Sequence, residues 1–186
     1  MPRPNWFFAF PLDGAFVLTL PELPPGLRRY HPEDVHLTLA FLGGCGEVAA
    51  LRALATLDEL LVALKPKPIE VSLGAVEAMG SPRAYSALSA LLDQGRHETE
   101  ARIGEMRDAL TDSANGRRDR RKPKAHVTLA RPRHRATDAQ RAAGLDWARG
   151  LDLRGVHATL DRVALFTWHE QRGERLFQPV ATRKLG

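Results

Sequence analysis

The sequence predicts a mixed fold, α/β or α+β, on three observations. Short apolar runs ended by glycine or proline alternate with helical segments along the whole chain. No linker or shift in composition divides it, and one five-residue strand motif occurs twice. The 186 residues, 44% hydrophobic and 26% charged, suffice for one core or for two small lobes sharing an interface. That apolar fraction excludes a disordered chain. Cys45 is the single cysteine, which excludes a disulfide scaffold and fits a reduced compartment. No apolar run nears the roughly 20 residues that cross a bilayer. Met1–Asn5 leads straight into Trp6–Phe10 without the small-residue cleavage site of a leader. A cytoplasmic monomer without a membrane segment is the expectation.

The elements follow in order. Trp6–Phe10 reads as a strand, ended by Pro11 and the Asp13-Gly14 turn signal. Ala15–Leu20 is a short apolar run, and Pro21, Pro24 and Pro25 exclude a long helix after it. Val35–Leu42 is a strand closed by Gly43-Gly44. Glu47–Leu64 carries Val48, Leu51, Leu54, Leu57, Leu61 and Leu64 at helical spacing and stops before Pro66. Ile69–Val76 reads as a strand, while Ala84–Leu91 fits strand or helix. Glu98–Leu110 is helical, with Ala101, Ile103, Met106 and Leu110 as apolar positions. Ala125–Ala130 is a strand. Thr137 is placed to cap a helix to Ala148, with Gln140 three residues on. Val156–Trp168 predicts one long strand, and Leu176–Ala181 its hairpin partner across Gln171-Arg172-Gly173.

Charge is a weak guide. Lys and Arg total 27 against 22 acidic residues, and 22 of the 27 are arginine, whose planar fork suits phosphate. The run Arg117-Arg118-Asp119-Arg120-Arg121-Lys122-Pro123-Lys124 fits either an RNA-guiding segment or a solvated loop.

The repeat is more informative. His36-Leu37-Thr38-Leu39-Ala40 returns as His126-Val127-Thr128-Leu129-Ala130, and none of the other five histidines shares this setting. On a strand, residues two apart share a face, so each copy presents an imidazole and a hydroxyl with apolar side chains behind. Two such strands side by side about a pseudo-twofold axis would set two imidazoles and two hydroxyls on one cavity. In-line attack at a phosphodiester needs a base for the nucleophile and an acid for the leaving oxygen. Imidazole serves either purpose near neutral pH, and hydroxyls can hold the non-bridging oxygens. Such a site requires no metal and no other cofactor. Zinc-ligand clusters, Gly-x-Ser-x-Gly, phosphate-binding glycine loops and dinucleotide signatures are absent from the sequence.

Pro32-Glu33-Asp34-Val35 followed by His36–Gly43 resembles the first signature of the 2H phosphoesterase superfamily, above all its bacterial and archaeal RNA 2′,3′-cyclic phosphodiesterases, also called 2′-5′ RNA ligases. His126–Arg131 resembles that branch's second signature. Phe7-Phe8-Ala9 resembles its first strand, and Leu165-Phe166 with the following hairpin its last. The resemblance implies an α+β, bilobal fold over residues 1–186: two antiparallel sheets with flanking helices about a central groove, related by a pseudo-twofold axis, each lobe giving one motif. It implies hydrolysis of 2′,3′-cyclic phosphate ends of RNA or nucleotides to 2′-phosphates. His36 would be the proton donor, His126 the proton acceptor, and Thr38, Thr128 and Arg131 the phosphate ligands. Phe8 is the candidate for stacking a base. Three departures stand out: a shortened segment between first strand and first motif, Ala125 where a proline is usual, and Thr167 where a serine is usual. The alternatives are another cyclic phosphate or 2′-5′-linked substrate at the same site, or a non-catalytic RNA-binding module.

Overall fold

A computed structural model describes residues 3–186; Met1 and Pro2, part of the stretch read against a leader, lie outside it. In chain order the described elements are β1 (Trp6–Pro11), β2 (Leu27–Arg29), β3 (His36–Gly43), α1 (Glu47–Leu64), β4 (Ile69–Met79), β5 (Ala87–Leu92), α2 (Arg96–Ser113), β6 (His126–Pro132), α3 (Asp138–Arg149), β7 (His157–Leu160), β8 (Arg162–Trp168) and β9 (Phe177–Lys184). None of the described helices is long and apolar enough to cross a membrane.

The two expected sheets are the halves of one antiparallel sheet ordered β7-β4-β5-β6-β3-β1-β8-β9, with β2 added on β6. The halves meet at a single recorded residue pair, Leu37 opposite Val127. Four strands of that order lie on either side of the pair, and the register of the inner strand pairs is repeated. In one half Phe8 faces Ala40, Ala9 faces Thr38, Phe10 faces Leu37 and Pro11 faces His36, with an irregularity between Phe8 and Ala9. In the other, Leu88 faces Ala130, Ser89 faces Thr128, Ala90 faces Val127 and Leu91 faces His126, with the irregularity between Leu88 and Ser89. Even the bulge is duplicated, as expected of a designed feature of the sheet.

The predicted strand Val156–Trp168 is two strands, β7 and β8, broken at Asp161. They lie near opposite ends of the sheet, six strand spacings apart, or about 29 Å if the sheet were flat. The Asp161 link spans only about 7 Å. The sheet must therefore curl until its ends approach, and Leu185 N–H closes the junction on the Asp161 carbonyl at 2.8 Å.

The helices fit the sequence closely, with one correction. α1 spans Glu47–Leu64 as expected, but it buries Ala50, Ala53 and Leu57. Val48, Leu51 and Leu64 of its apolar series are exposed, as is Val62. Apolar residues surround much of this helix, so its spacing alone did not show which side is buried. α2 buries Ile103, Met106 and Leu110, whereas Ala101 is exposed. α3 begins with the predicted Thr137–Gln140 capping box. Ala84–Leu91 resolves as strand β5, every residue of which is buried. The apolar run before the prolines forms only a 3-10 turn at Ala15–Thr19, and the proline-rich stretch after it forms no helix. Its carbonyls at Val17, Leu20 and Pro21 are taken up by the Arg29 guanidinium, which replaces the bonds a helix would have made.

Candidate active site

His36 and His126 open the two central strands, one in each half of the sheet. Leu37 and Val127 are fully buried beneath them. Leu37 and Val127 are the one residue pair recorded between these strands, and the residues on either side of them, His36, Thr38, His126 and Thr128, turn to the opposite face. The four residues thus surround the Leu37–Val127 pair on its other face, and the charge of His126 is felt at His36.

Both imidazoles are held in the same way. His36 Nδ1 lies 2.6 Å from the Asp34 carbonyl oxygen, and His126 Nδ1 lies 2.7 Å from that of Lys124. A carbonyl oxygen only accepts, so each Nδ1 carries the proton and donates it. In the neutral ring Nε2 is then left with a lone pair, the nitrogen available for chemistry.

The surroundings of the two rings differ. His36 is 8% exposed, packed against Phe7, Phe166 and Phe177 at centroid distances of 4.9, 5.8 and 5.6 Å. Burial drives this imidazole down to about 4; the hydrogen bond to Asp34 works against that, while Arg131 and His126 add to it. His126 is half-buried.

The threonines also differ, despite the shared register. Thr128 Oγ1 lies 3.2 Å from Oγ of the fully buried Ser89. Thr38 has Ala9 in the corresponding place and lacks that partner. Arg131 is exposed, with its guanidinium 5.2 Å from the centre of the Tyr30 ring. Its charge reaches both Tyr30 and His36.

Phe8 is a correction. It is 0% exposed, so it has no surface on which a base could stack. Alternation along β1 sends it to the face opposite the histidines, and its neighbour Phe7 is the one that touches His36. Sequence reading also passed over Tyr30, Ser89 and Asp34. Asp34 stands within the first signature; nothing local marked the other two.

No protein-family model matches the chain, and no curated protein does. Solved structures do. Escherichia coli LigT complexed with 3′-AMP is 18% identical over 100% of this chain and 99% of its own, with a TM-score of 0.70. A protein described as a phosphoesterase is 19% identical over the same shares, with a TM-score of 0.69. Kluyveromyces marxianus Usb1 is 13% identical over 87% of this chain and 92% of its own, at 0.50. These neighbours are 2H phosphoesterases. The chain has the 2H phosphoesterase fold.

Measured against the 2H signatures, the departures have local explanations. Ala125 donates its N–H to Glu100 Oε1 at 3.1 Å, a bond that a proline could not make. Thr167 uses its hydroxyl on the Asn5 carbonyl at 3.3 Å. Along the shortened segment, a concavity of about 230 Å³ lies between Phe16–Pro21 and Gly150–Val156. A second, of about 300 Å³, lies between the end of α1 and residues 184–186; neither touches a histidine of the site. In the basic stretch, Arg118 pairs with Asp108 and Asp112, Arg121 with Asp119 and Lys124 with Glu77. Among the described residues, no three His, Cys, Asp or Glu side chains gather as a metal site would require.

Proposed function

We propose that this protein hydrolyses 2′,3′-cyclic phosphate ends of RNA or nucleotides to 2′-phosphates by metal-independent acid–base catalysis. The supporting observation is the quartet of His36, Thr38, His126 and Thr128 about the Leu37–Val127 pair, with both imidazoles in one tautomer. Nε2 of His126 accepts a proton from water, whose oxygen bonds to phosphorus. The bond from phosphorus to the 3′ oxygen breaks, and His36, entering this step as the imidazolium, protonates that oxygen from Nε2. Thr38, Thr128 and Arg131 hold the non-bridging oxygens as their charge grows. The two imidazoles then exchange their changed protonation with solvent. That LigT was solved with 3′-AMP supports a nucleotide-sized ligand for this fold.

Turnover of a 2′,3′-cyclic nucleotide is expected to fall roughly a hundredfold or more in His36→Ala and in His126→Ala, and to be unaffected by chelator. Wild-type rates in either variant would overturn the reading. RNA binding that survives loss of both histidines, without hydrolysis by the wild type, would instead identify a binding module. Comparing cyclic phosphates with 2′-5′-linked oligonucleotides would separate the substrate classes.

A second reading exchanges the two roles. It is favoured by the burial of His36, which holds that ring neutral, as a base requires. A substrate with sulfur at the 3′ position decides between them, because thiolate leaves without a proton. That substrate restores turnover to whichever alanine variant has lost the acid.

A further inference from the structure

We propose that the Tyr30 hydroxyl is a third hydroxyl donor to the substrate phosphate, beside Thr38 and Thr128; this deepens the reading above and rests on it. Tyr30 follows β2, where its N–H donates to the Leu129 carbonyl at 2.9 Å and docks the residue on β6. The side chain is 2% exposed, with its ring centre 6.3 Å from that of His36 and 6.5 Å from that of Phe177. Its hydroxyl is buried and makes no hydrogen bond to the protein. The neighbouring polar group is the Thr128 hydroxyl, which stands beside it without completing a bond and is already engaged by Ser89.

A buried hydroxyl without a protein partner is uncommon and costly, so its place in the site calls for a reason. Burial pushes the Tyr30 phenol up to about 12, outweighing the nearby guanidiniums, so it keeps its proton at any working pH. It is therefore a donor. An anionic oxygen, acceptor only, is the complement of a phenol O–H flanked by a threonine hydroxyl, an imidazole and the Arg131 guanidinium. A non-bridging phosphate oxygen meets that description. The hydroxyl donors are then unevenly shared: Ser89, Thr128 and Tyr30 lie together, whereas His36 is enclosed by phenylalanines.

The test is Tyr30→Phe, which keeps the ring and its packing and removes only the oxygen. Against a 2′,3′-cyclic nucleotide, kcat/KM is expected to fall at least tenfold. The affinity for inorganic phosphate, read as competitive inhibition and as thermal stabilisation, falls by a similar factor. The phosphate-free variant is expected to melt at or above the wild-type temperature, because the unpartnered oxygen is gone. Wild-type turnover and phosphate affinity in Tyr30→Phe would overturn the proposal. So would a wild-type protein that does not bind phosphate, or a variant that loses thermal stability while binding phosphate normally. Tyr30-dependent phosphate binding by a wild type that hydrolyses no cyclic phosphate would sustain the proposal and sink the hydrolase reading.

Discussion

His36 illustrates how far a single side chain is set by its position rather than its type. An imidazole ordinarily titrates near 6.5, but here three phenylalanine rings and burial bring it to about 4. The unfolded chain therefore binds more protons than the folded one between those values. Stability attributable to His36 is complete above about 6.5 and is lost as the pH falls towards 4. The loss approaches roughly 3 kcal/mol. Urea unfolding followed from pH 7 to pH 4 should show this slope in the wild type and a shallower one in His36→Gln; parallel curves would contradict it. The residue types and their spacing were legible in the sequence because a strand shows alternate side chains on one face. The unequal environments were not legible, since Phe166 and Phe177 come from remote segments. Phe8 shows the same limit in reverse: an aromatic beside the motif-bearing strand looked available for stacking, yet the parity of β1 turns it into the core.

At the scale of elements, the segment before β3 couples the β8–β9 hairpin to the His36 ring. The buried Asp34 carboxylate accepts the N–H groups of Leu176 and Phe177 at 2.8 and 2.9 Å. The carbonyl of the same residue takes the His36 Nδ1 proton. Arg175 pairs with Glu33 alongside, and Arg28 donates to the carbonyls of Arg172 and Gly173 in the hairpin turn. Asp34→Ala would leave two backbone donors without their charged acceptor, at a cost of about 3 kcal/mol. It should also lower kcat more than it raises KM, because His36 loses its seat. Asp34→Asn, which keeps one acceptor oxygen, should fall between; a wild-type unfolding midpoint and kcat in Asp34→Ala would refute this coupling. Boundaries of β3, α1 and α3 were readable because glycine, proline and a capping box mark them locally. The division of Val156–Trp168 was not, since nothing in its alternation reveals that its halves belong to opposite ends of the sheet.

Across the whole molecule, the net charge of +5 is spread unevenly in its effect. Arg118, Arg121 and Lys124 of the basic stretch are neutralised by acidic partners, while Arg117, Arg120 and Lys122 form no ion pair among the described residues. The stretch ends at Lys124, whose carbonyl holds His126. Replacing Arg117, Arg120 and Lys122 by alanine should weaken binding of a short RNA oligonucleotide and flatten its salt dependence, by a slope of up to about three. Turnover of a mononucleotide cyclic phosphate should be unchanged. Equal salt slopes for wild type and variant would assign the stretch to solvent alone.

By itself, the sequence determined the two strand motifs, their periodicity and the alternation of elements, because these depend on neighbours within a few residues. It also carried the resemblance that the 2H fold bears out. Only the tertiary structure decided that the motifs meet across the Leu37–Val127 pair, and that one threonine is tied to a serine while the other faces an alanine. Only it brought Tyr30 to Thr128 and enclosed His36 in phenylalanines. Those relations join residues far apart in the chain. They are set by sheet register and burial, which no local pattern of side chains encodes.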